Sequence, residues 1–244
     1  MNVTPSLVRQ FAPTGVLRAS LNMGNPVLAH SRTSTDKPAG VSIDLSRELA
    51  RELGLQAVFV QFDTAAKSVE ALGSGAADIG FMAIDPLRAD SIRFTAAYVQ
   101  IEGVYLVRKG SPITSNEQVD QPGITIVIGV GSAYALYLAR AIKNATLLQV
   151  PTSETVVAAM LEGGHPVAAG VRQQMEADAK RIGGVRVLDG RFMVINQAMA
   201  MPRDRSAEAH AFLADFVERM KGTGFVADAL VRHGIEGANV AAAG

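Results

Sequence analysis

The sequence predicts an α/β fold in which parallel sheets are flanked by helices. Short runs of β-branched and apolar residues alternate along the chain with amphipathic runs, and glycine-containing breaks separate them. Several of the apolar runs do not alternate with polar residues, which is typical of strands that are covered on both faces. Because such sheets bind ligands at the carboxyl ends of their strands, functional residues are expected there.

The predicted elements follow this alternation along the chain. Glycine commonly ends a helix, so one predicted helix stops at Gly54 and another at the Gly73-Ser74-Gly75 break. The run 57–62 between them is β-branched and aromatic, which is typical of a strand. The predicted strands are residues 16–21, 57–62, 78–84, 103–107, 124–128, 146–150, 167–170, 185–188 and 192–200. The predicted helices are residues 42–53, 65–72, 132–142, 154–161, 173–181, 207–220 and 225–233.

The composition excludes several classes of function. The chain has 244 residues, with 23 basic and 23 acidic side chains, so it lacks the positive charge on which nucleic-acid binding depends. It has no cysteine, which excludes disulfides and thiolate chemistry. Its 4 histidines have no metal-ligand spacing. We therefore expect no metal, no cofactor and no nucleic-acid partner, and a monomer.

The N-terminal residues and the apolar stretches bear on the compartment. The start Met-Asn-Val-Thr-Pro-Ser lacks the charged and apolar regions of an export signal. The most apolar stretch, residues 124–139, is too short to span a membrane. The alternatives are an exported protein whose signal has been removed and a cytoplasmic protein.

Four segments give the chain a resemblance to a known family. They are residues 38–45 (PAGVSIDL), 71–88 (ALGSGAADIGFMAIDPLR), 126–134 (IVIGVGSAY) and 161–170 (LEGGHPVAAG). Over about residues 15–234 the chain resembles the type II periplasmic solute-binding proteins of family 3, the amino-acid-binding group. The resemblance implies two lobes, each a mixed, mostly parallel sheet flanked by helices, joined by two hinge strands. It places lobe one at residues 1–107 plus 199–244 and lobe two at residues 108–198.

In lobe one, the resemblance assigns the ligand carboxylate to Arg88. A guanidinium suits this role because it donates two parallel, charge-assisted hydrogen bonds to a carboxylate. Ala83 and Asp85 fall where relatives have serine or threonine. The loop after the first strand lacks the aromatic residue that relatives stack on the ligand; Asn22 and Asn25 in this loop either bind the ligand or form a turn.

In lobe two, the resemblance implies an anion-binding turn at Gly131, Ser132 and Ala133. The glycine lets the backbone approach a ligand closely, and the free N–H groups of the following helix face an anion. Ser132 caps the helix and also offers a hydroxyl. Tyr134 is a further candidate contact, whereas Tyr98 is expected to pack in the core.

One departure from the family pattern bears on the ligand. Relatives place an aspartate after the strand 167–170 to bind an α-ammonium group, and this chain has Val171-Arg172 there. Arg172 either attracts a second anion or forms a structural salt bridge. Asp63, Asp85 and Glu102 are the acids that remain to replace the missing aspartate.

The function expected from these features is non-catalytic. The chain is expected to bind a small carboxylate-bearing metabolite in a cleft between the lobes, to close around it, and to deliver it to an ABC permease from the periplasm. The alternatives are an enzyme on the same scaffold, similar to cyclohexadienyl or prephenate dehydratase, and an intracellular ligand sensor. The enzyme would need an acid or base in the cleft, for which Asp85 and Glu102 are the candidates.

Overall fold

The computed structural model describes residues 3–31 and 37–244 and divides the chain into two compact units. Unit 1 comprises Met1–Gln100 and Asn196–Gly244, and unit 2 comprises Ile101–Ile195. The strands are β1 (Leu17–Asn22), β2 (His30–Ser31), β3 (Pro38–Ala39), β4 (Ala57–Phe62), β5 (Ile79–Ala83), β6 (Ile92–Arg108), β7 (Thr125–Gly129), β8 (Thr146–Val150), β9 (Val167–Val171), β10 (Val185–Val187), β11 (Met193–Pro202) and β12 (Asn239–Val240). The helices are α1 (Pro5–Phe11), α2 (Val41–Leu53), α3 (Ala65–Gly73), α4 (Ala133–Ala141), α5 (Val156–Glu162), α6 (Arg172–Ile182), α7 (Ala207–Gly222) and α8 (Phe225–Arg232).

The sheet of unit 1 is built around parallel strands. β1 lies between β4 and β5 and is parallel to both, and β11 is antiparallel to β5. In this register Asn22 is opposite Phe62 and Ala83 is opposite Gln197. The carboxyl ends of β1 and β5 therefore lie at the same edge. We call residues 22–25, 83–88 and 197 the unit 1 edge.

Helix α2 shows why these residues form these elements. Its buried residues include Val41, Leu45 and Leu49, which recur at helical spacing and cover the sheet. Gly54 ends the helix in the left-handed conformation, and its N–H is donated to the carbonyls of Ala50 and Arg51. Other helices begin at a serine or threonine whose side-chain oxygen accepts a backbone N–H of the first turn.

The sheet of unit 2 has apolar side chains on both faces. β7 lies between β8 and β9 and is parallel to both, while β6 is antiparallel to β9 and to β10. Ile126 and Ile128 of β7 pack in the cluster that contains Leu138 of α4, whereas Val127 packs with Met160 of α5. The continuous apolar runs in the sequence thus correspond to strands covered on both sides.

The carboxyl ends of the parallel strands in unit 2 also share an edge. Gly129 is opposite Val150, and Ile126 is opposite Val167, so the strands end level with each other. Gly103 of β6 is opposite Val171, which brings Glu102 to the same edge. We call residues 102, 129–134, 153, 172–174 and 190–191 the unit 2 edge.

The structure differs from the sequence prediction mainly in β6. The prediction begins a strand at Gly103, but β6 begins at Ile92 and runs through Gly103. The glycine is required inside the strand because a Cβ there would lie 2.7 Å from Met193 and 2.9 Å from Phe192. Helix α1 and strands β2, β3 and β12, which are all short, were not predicted.

The two crossings between the units lie within β6 and β11. The sequence places the lobe boundaries at 107/108 and 198/199, and the structure divides the chain after Gln100 and after Ile195. Both divisions fall inside continuous strands, where the sequence has no loop residues to mark them. In the part of the chain that the structure describes, no helix is long and apolar enough to cross a membrane.

Candidate functional site

Arg88 lies in a short turn that follows β5 at the unit 1 edge. Asp85 caps this turn, because its Oδ1 accepts a hydrogen bond of 2.9 Å from the backbone N–H of Leu87. The Nη1 of Arg88 donates a hydrogen bond of 3.0 Å to the backbone carbonyl of Ala83. Asp85 and Ala83, which the sequence placed at the site, thus hold the backbone and the guanidinium of Arg88 in place.

The guanidinium of Arg88 is almost completely withdrawn from water. The residue is 5% exposed, and burial lowers its pKa to about 10, although the nearby charge of Asp85 acts in the opposite direction. A buried cation of this kind is strongly stabilised by an added anion, because the interaction is weakly screened. The role of Arg88 as the residue that binds a carboxylate stays a prediction.

The loop after β1 gives the unit 1 edge its second polar segment. Asn22 accepts a hydrogen bond from the N–H of Gly24 through its Oδ1, which is the turn geometry expected for this residue. Gly24 packs against Asp63, the residue after β4, and a Cβ at position 24 would lie 2.5 Å from the carbonyl oxygen of Asp63. Asn22 is therefore a turn-forming residue, and its role as a ligand contact stays a prediction.

Two buried amide oxygens at the unit 1 edge have no hydrogen-bond partner among the described residues. They are the Oδ1 of Asn25 and the Oε1 of Gln197, which belong to side chains that are almost fully buried. A buried acceptor without a donor is costly and often marks a place where a water or ligand binds. Asn25 was a candidate from the sequence. Gln197 was missed because nothing in the sequence shows that it aligns with Ala83.

The turn that precedes α4 has the predicted form at the unit 2 edge. Gly131 has a φ of +66°, which favours glycine, and Ser132 caps the helix by accepting the N–H of Ala135 at 3.1 Å. Ala133 is the first residue of the helix. The N–H groups of a first helical turn lack partners within the helix and favour an anion.

Tyr134 belongs to the core beneath this turn. Its side chain is 2% exposed and packs in the apolar cluster of unit 2. Its hydroxyl accepts the N–H of Gly129 at 3.3 Å and donates to the Oγ of Ser153 at 2.8 Å. Burial raises the pKa of Tyr134, so it stays a neutral phenol. Tyr134 therefore supports the turn from within the core, and its side chain is not exposed.

Arg172 takes part in an ion-pair cluster with Glu102 and Arg191. The Nε of Arg172 donates to one oxygen of Glu102, and the Nη1 of Arg191 donates to the other, both at 2.6 Å. Arg172 also contacts Glu176 and the carbonyl oxygen of Gly190. Of the two alternatives for Arg172, the structure shows the salt bridge. Arg191 was missed because the sequence does not reveal its approach to Glu102.

The acids considered as substitutes for the missing aspartate all have partners. Asp63 pairs with Lys67 at 2.8 Å, and Asp85 caps the turn of Arg88. Burial raises the pKa of Glu102, but hydrogen bonds from Arg191 and Arg172 outweigh this and hold it below its ordinary value. Glu102 is therefore a fixed anion at neutral pH, which suits neither a general acid nor a base with a pKa near 7.

The model of one family matches most of the chain. It describes bacterial extracellular solute-binding proteins, family 3, and it matches residues 22–233. The chain belongs to this family. It is accordingly a solute-binding protein, and the recognition based on the four sequence segments is confirmed. A search of curated proteins found no match.

Solved structures confirm the predicted type II periplasmic-binding-protein fold. A solute receptor for L-cysteine from Neisseria gonorrhoeae is similar with a TM-score of 0.80 and 21% identity, covering 93% of this chain and 92% of that chain. A binding component of an ABC transporter from Wolinella succinogenes, complexed with lysine, has a TM-score of 0.77 and 22% identity, covering 90% and 95%. An ancestral amino-acid-binding protein, a precursor of cyclohexadienyl dehydratase, has a TM-score of 0.77 and 20% identity, covering 92% and 98%. At these identities the likeness shows the fold.

Proposed function

We propose that this solute-binding protein binds a small carboxylate-bearing metabolite through Arg88 and delivers it to an ABC permease. The observation that carries the proposal is the buried guanidinium of Arg88 at the carboxyl edge of β5, held by the carbonyl of Ala83. A guanidinium fixed in this way forms a bidentate pair with a carboxylate at little cost in entropy. The family description also supports a periplasmic location, in which an importer receptor acts.

The unit 2 edge supports the same proposal independently. The turn at Gly131 and Ser132 joins the carboxyl end of β7 to the start of α4. We expect these N–H groups and the hydroxyl of Ser132 to bind an anionic group, in agreement with the family resemblance. The expectation that the ligand draws the two units together stays a prediction. A fall in the radius of gyration on ligand addition, measured by small-angle X-ray scattering, would support it.

A thermal-shift screen tests the role of Arg88. The protein is unfolded and refolded to remove bound ligand, and is then screened with amino acids, monocarboxylates, dicarboxylates and aromatic acids. A ligand at about 100 times its Kd stabilises the folded state by about 2.7 kcal/mol, which raises the Tm by roughly 5–10 °C for a chain of this size. We expect one carboxylate class to produce this shift in the wild type and not in Arg88→Gln.

Arg203→Gln is the matched control for this test. Arg203 is an exposed arginine that donates one hydrogen bond to a backbone carbonyl, that of Ala89 at 2.6 Å. It thus has the same kind of partner as Arg88 without the burial. Arg203→Gln is expected to keep the full shift. If no carboxylate stabilises the wild type, or if Arg88→Gln and the wild type respond alike, the proposal is wrong.

A further inference from the structure

Gln197 of β11 has a hydrogen-bond acceptor that the fold of unit 1 leaves unused. The residue is 4% exposed, so its carboxamide is withdrawn from water. No N–H or O–H group of the described residues donates to its Oε1. A buried acceptor in this state costs free energy, and native structures usually retain one where a water or a ligand supplies the missing donor.

Strand register places Gln197 beside the residue that holds Arg88. Gln197 is opposite Ala83, and the N–H of Ile84 donates to the carbonyl of Asn196 at 2.9 Å. Ala83 and Gln197 therefore form a pair without mutual backbone bonds, in which the Cα atoms lie about 4.5 Å apart and side chains are closest. The carbonyl of Ala83 accepts the Nη1 of Arg88 at 3.0 Å. Carboxamide and guanidinium are thus both anchored at residue 83, and all of these residues belong to unit 1.

Ala83 explains why Gln197 lacks a donor. The side chains of two directly opposed residues lie on the same face of a sheet and meet there. The side chain of Ala83 is a methyl group, which cannot donate a hydrogen bond, whereas serine or threonine would offer a hydroxyl to the carboxamide. The pairing of alanine with a buried glutamine therefore leaves an unused acceptor at the carboxyl end of β5.

Asn25 gives unit 1 a second unused acceptor. Its backbone carbonyl accepts the N–H groups of Leu28 and Ala29 at 3.0 and 3.2 Å, which fixes the loop after β1. The residue is 8% exposed, and its Oδ1 has no hydrogen-bond partner in the part of the chain that the structure describes. One buried guanidinium and two buried acceptors together complement a solute that carries an anion and a hydrogen-bond donor.

We propose that Gln197 accepts a hydrogen bond from a hydroxyl or amino group of the solute, next to the carboxylate that Arg88 binds. This inference rests on the proposed function, because it takes the first group to be the carboxylate at Arg88. A carboxamide oxygen accepts from a hydroxyl and from an ammonium group alike, so the shared chemistry is a donor on the carbon beside the carboxylate. Gln197 then selects hydroxy or amino acids over carboxylates without a donor.

The test uses series of acids that differ only in the group on the carbon beside the carboxylate. They are propionate, lactate and alanine; succinate, malate and aspartate; and 3-phenylpropionate, 3-phenyllactate and phenylalanine. Isothermal titration calorimetry on the full, refolded chain gives the Kd of each acid. In the series that binds, we expect the hydroxyl or amino member to bind at least about 10-fold more tightly than the member with hydrogen. The preferred member shows which donor the site takes.

Gln197→Met removes the acceptor and keeps the length of the side chain. We expect it to weaken binding of the preferred member by about 10- to 100-fold and to change binding of the hydrogen member by less than about 3-fold. Because an apolar group of similar shape replaces an unsatisfied acceptor, the Tm of the ligand-free variant is expected to equal or exceed that of the wild type. A glutamine that only supported the fold would give a lower Tm and unchanged binding.

Gln10→Met is the matched control. Gln10 is a part-buried glutamine of unit 1 whose Oε1 does have a donor, the N–H of Ser206 at 3.0 Å. Its replacement is expected to lower the Tm by roughly 1–4 °C and to leave every affinity unchanged.

Ala83→Ser is a second test variant, which also serves if Gln197→Met does not fold. Its hydroxyl would lie opposite the carboxamide of Gln197 and donate to the Oε1 in place of the solute. We expect this variant to reduce the preference for the hydroxyl or amino member by at least about 3-fold.

The outcomes separate this inference from the proposed function. If the hydrogen member binds as tightly as the other two, Gln197 does not select the solute and the inference is wrong. It is also wrong if Gln197→Met, or Ala83→Ser where the first variant does not fold, keeps the preference of the wild type. In both cases the proposed function stands as long as binding is lost in Arg88→Gln. If no carboxylate binds at all, the proposed function fails and the inference fails with it.

Discussion

Replacing Asp78 by asparagine is expected to lower the stability of unit 1 without changing ligand binding. Asp78 is completely buried just before β5, at the end of the strand away from the unit 1 edge. Its Oδ2 accepts the backbone N–H of Arg18 at 3.0 Å and the Nε at 2.9 Å, and its Oδ1 accepts the Nη2 at 2.8 Å. Arg205 approaches the same oxygen at 3.4 Å.

The size of the effect follows from this burial. Asparagine keeps the shape but removes the charge, and its amide nitrogen turns a donor toward groups that are themselves donors. Breaking a buried ion pair by changing one partner costs about 3–5 kcal/mol. The lower end of this range applies because the side chains of Arg18 and Arg205 are 21% and 16% exposed, so water can partly solvate them when the charge of Asp78 is removed. A loss of about 3 kcal/mol lowers the Tm by roughly 6–12 °C for a protein of this size.

Differential scanning calorimetry of Asp78→Asn and of the control Asp63→Asn measures this difference. Asp63 and Lys67 form an exposed pair one helical turn apart, which is worth at most about 1 kcal/mol. The control is therefore expected to melt within about 4 °C of the wild type. If Asp78→Asn melts as the control does, the buried network does not stabilise the fold and the reasoning is refuted.

Two further predictions concern unit 2. Asp120 accepts hydrogen bonds from the backbone N–H groups of residues 143–145, and these bonds lower its pKa. The stability that Asp120 contributes is therefore fully present above the ordinary pKa of aspartate, and it is lost as the pH falls through the lowered pKa of the folded state. Urea unfolding is expected to show Asp120→Asn less stable than the wild type at neutral pH and equal to it in strong acid, and an unchanged difference in acid would contradict this. Tyr134→Phe removes the hydroxyl that joins Gly129 to Ser153 and is expected to cost about 1 kcal/mol, read as a lower urea midpoint; an unchanged midpoint would mean that these bonds do not stabilise the turn.

The sequence predicted local features well where a short-range physical rule applies. The strands at Ala57–Phe62 and Thr146–Val150 have the predicted bounds, because β-branched and aromatic runs between breaks specify them. Gly54 and Ser132 end and begin helices as predicted, because caps depend on residues within one turn. Contacts between distant residues were not accessible in this way. The long course of β6 through Gly103 depends on Phe192 and Met193, which the sequence does not place nearby.

The sequence by itself determined the α/β class and the family, since each of these rests on local pattern or motif, and the role of Arg88 as the residue for a carboxylate stays a prediction. Only the tertiary structure decided which charged and polar side chains lie next to each other. It showed that Glu102 is held by Arg172 and Arg191, and that Gln197 aligns with Ala83. The physical reason is that the energy of a charge depends on its partners in space, and strand register brings together residues that are far apart in the chain.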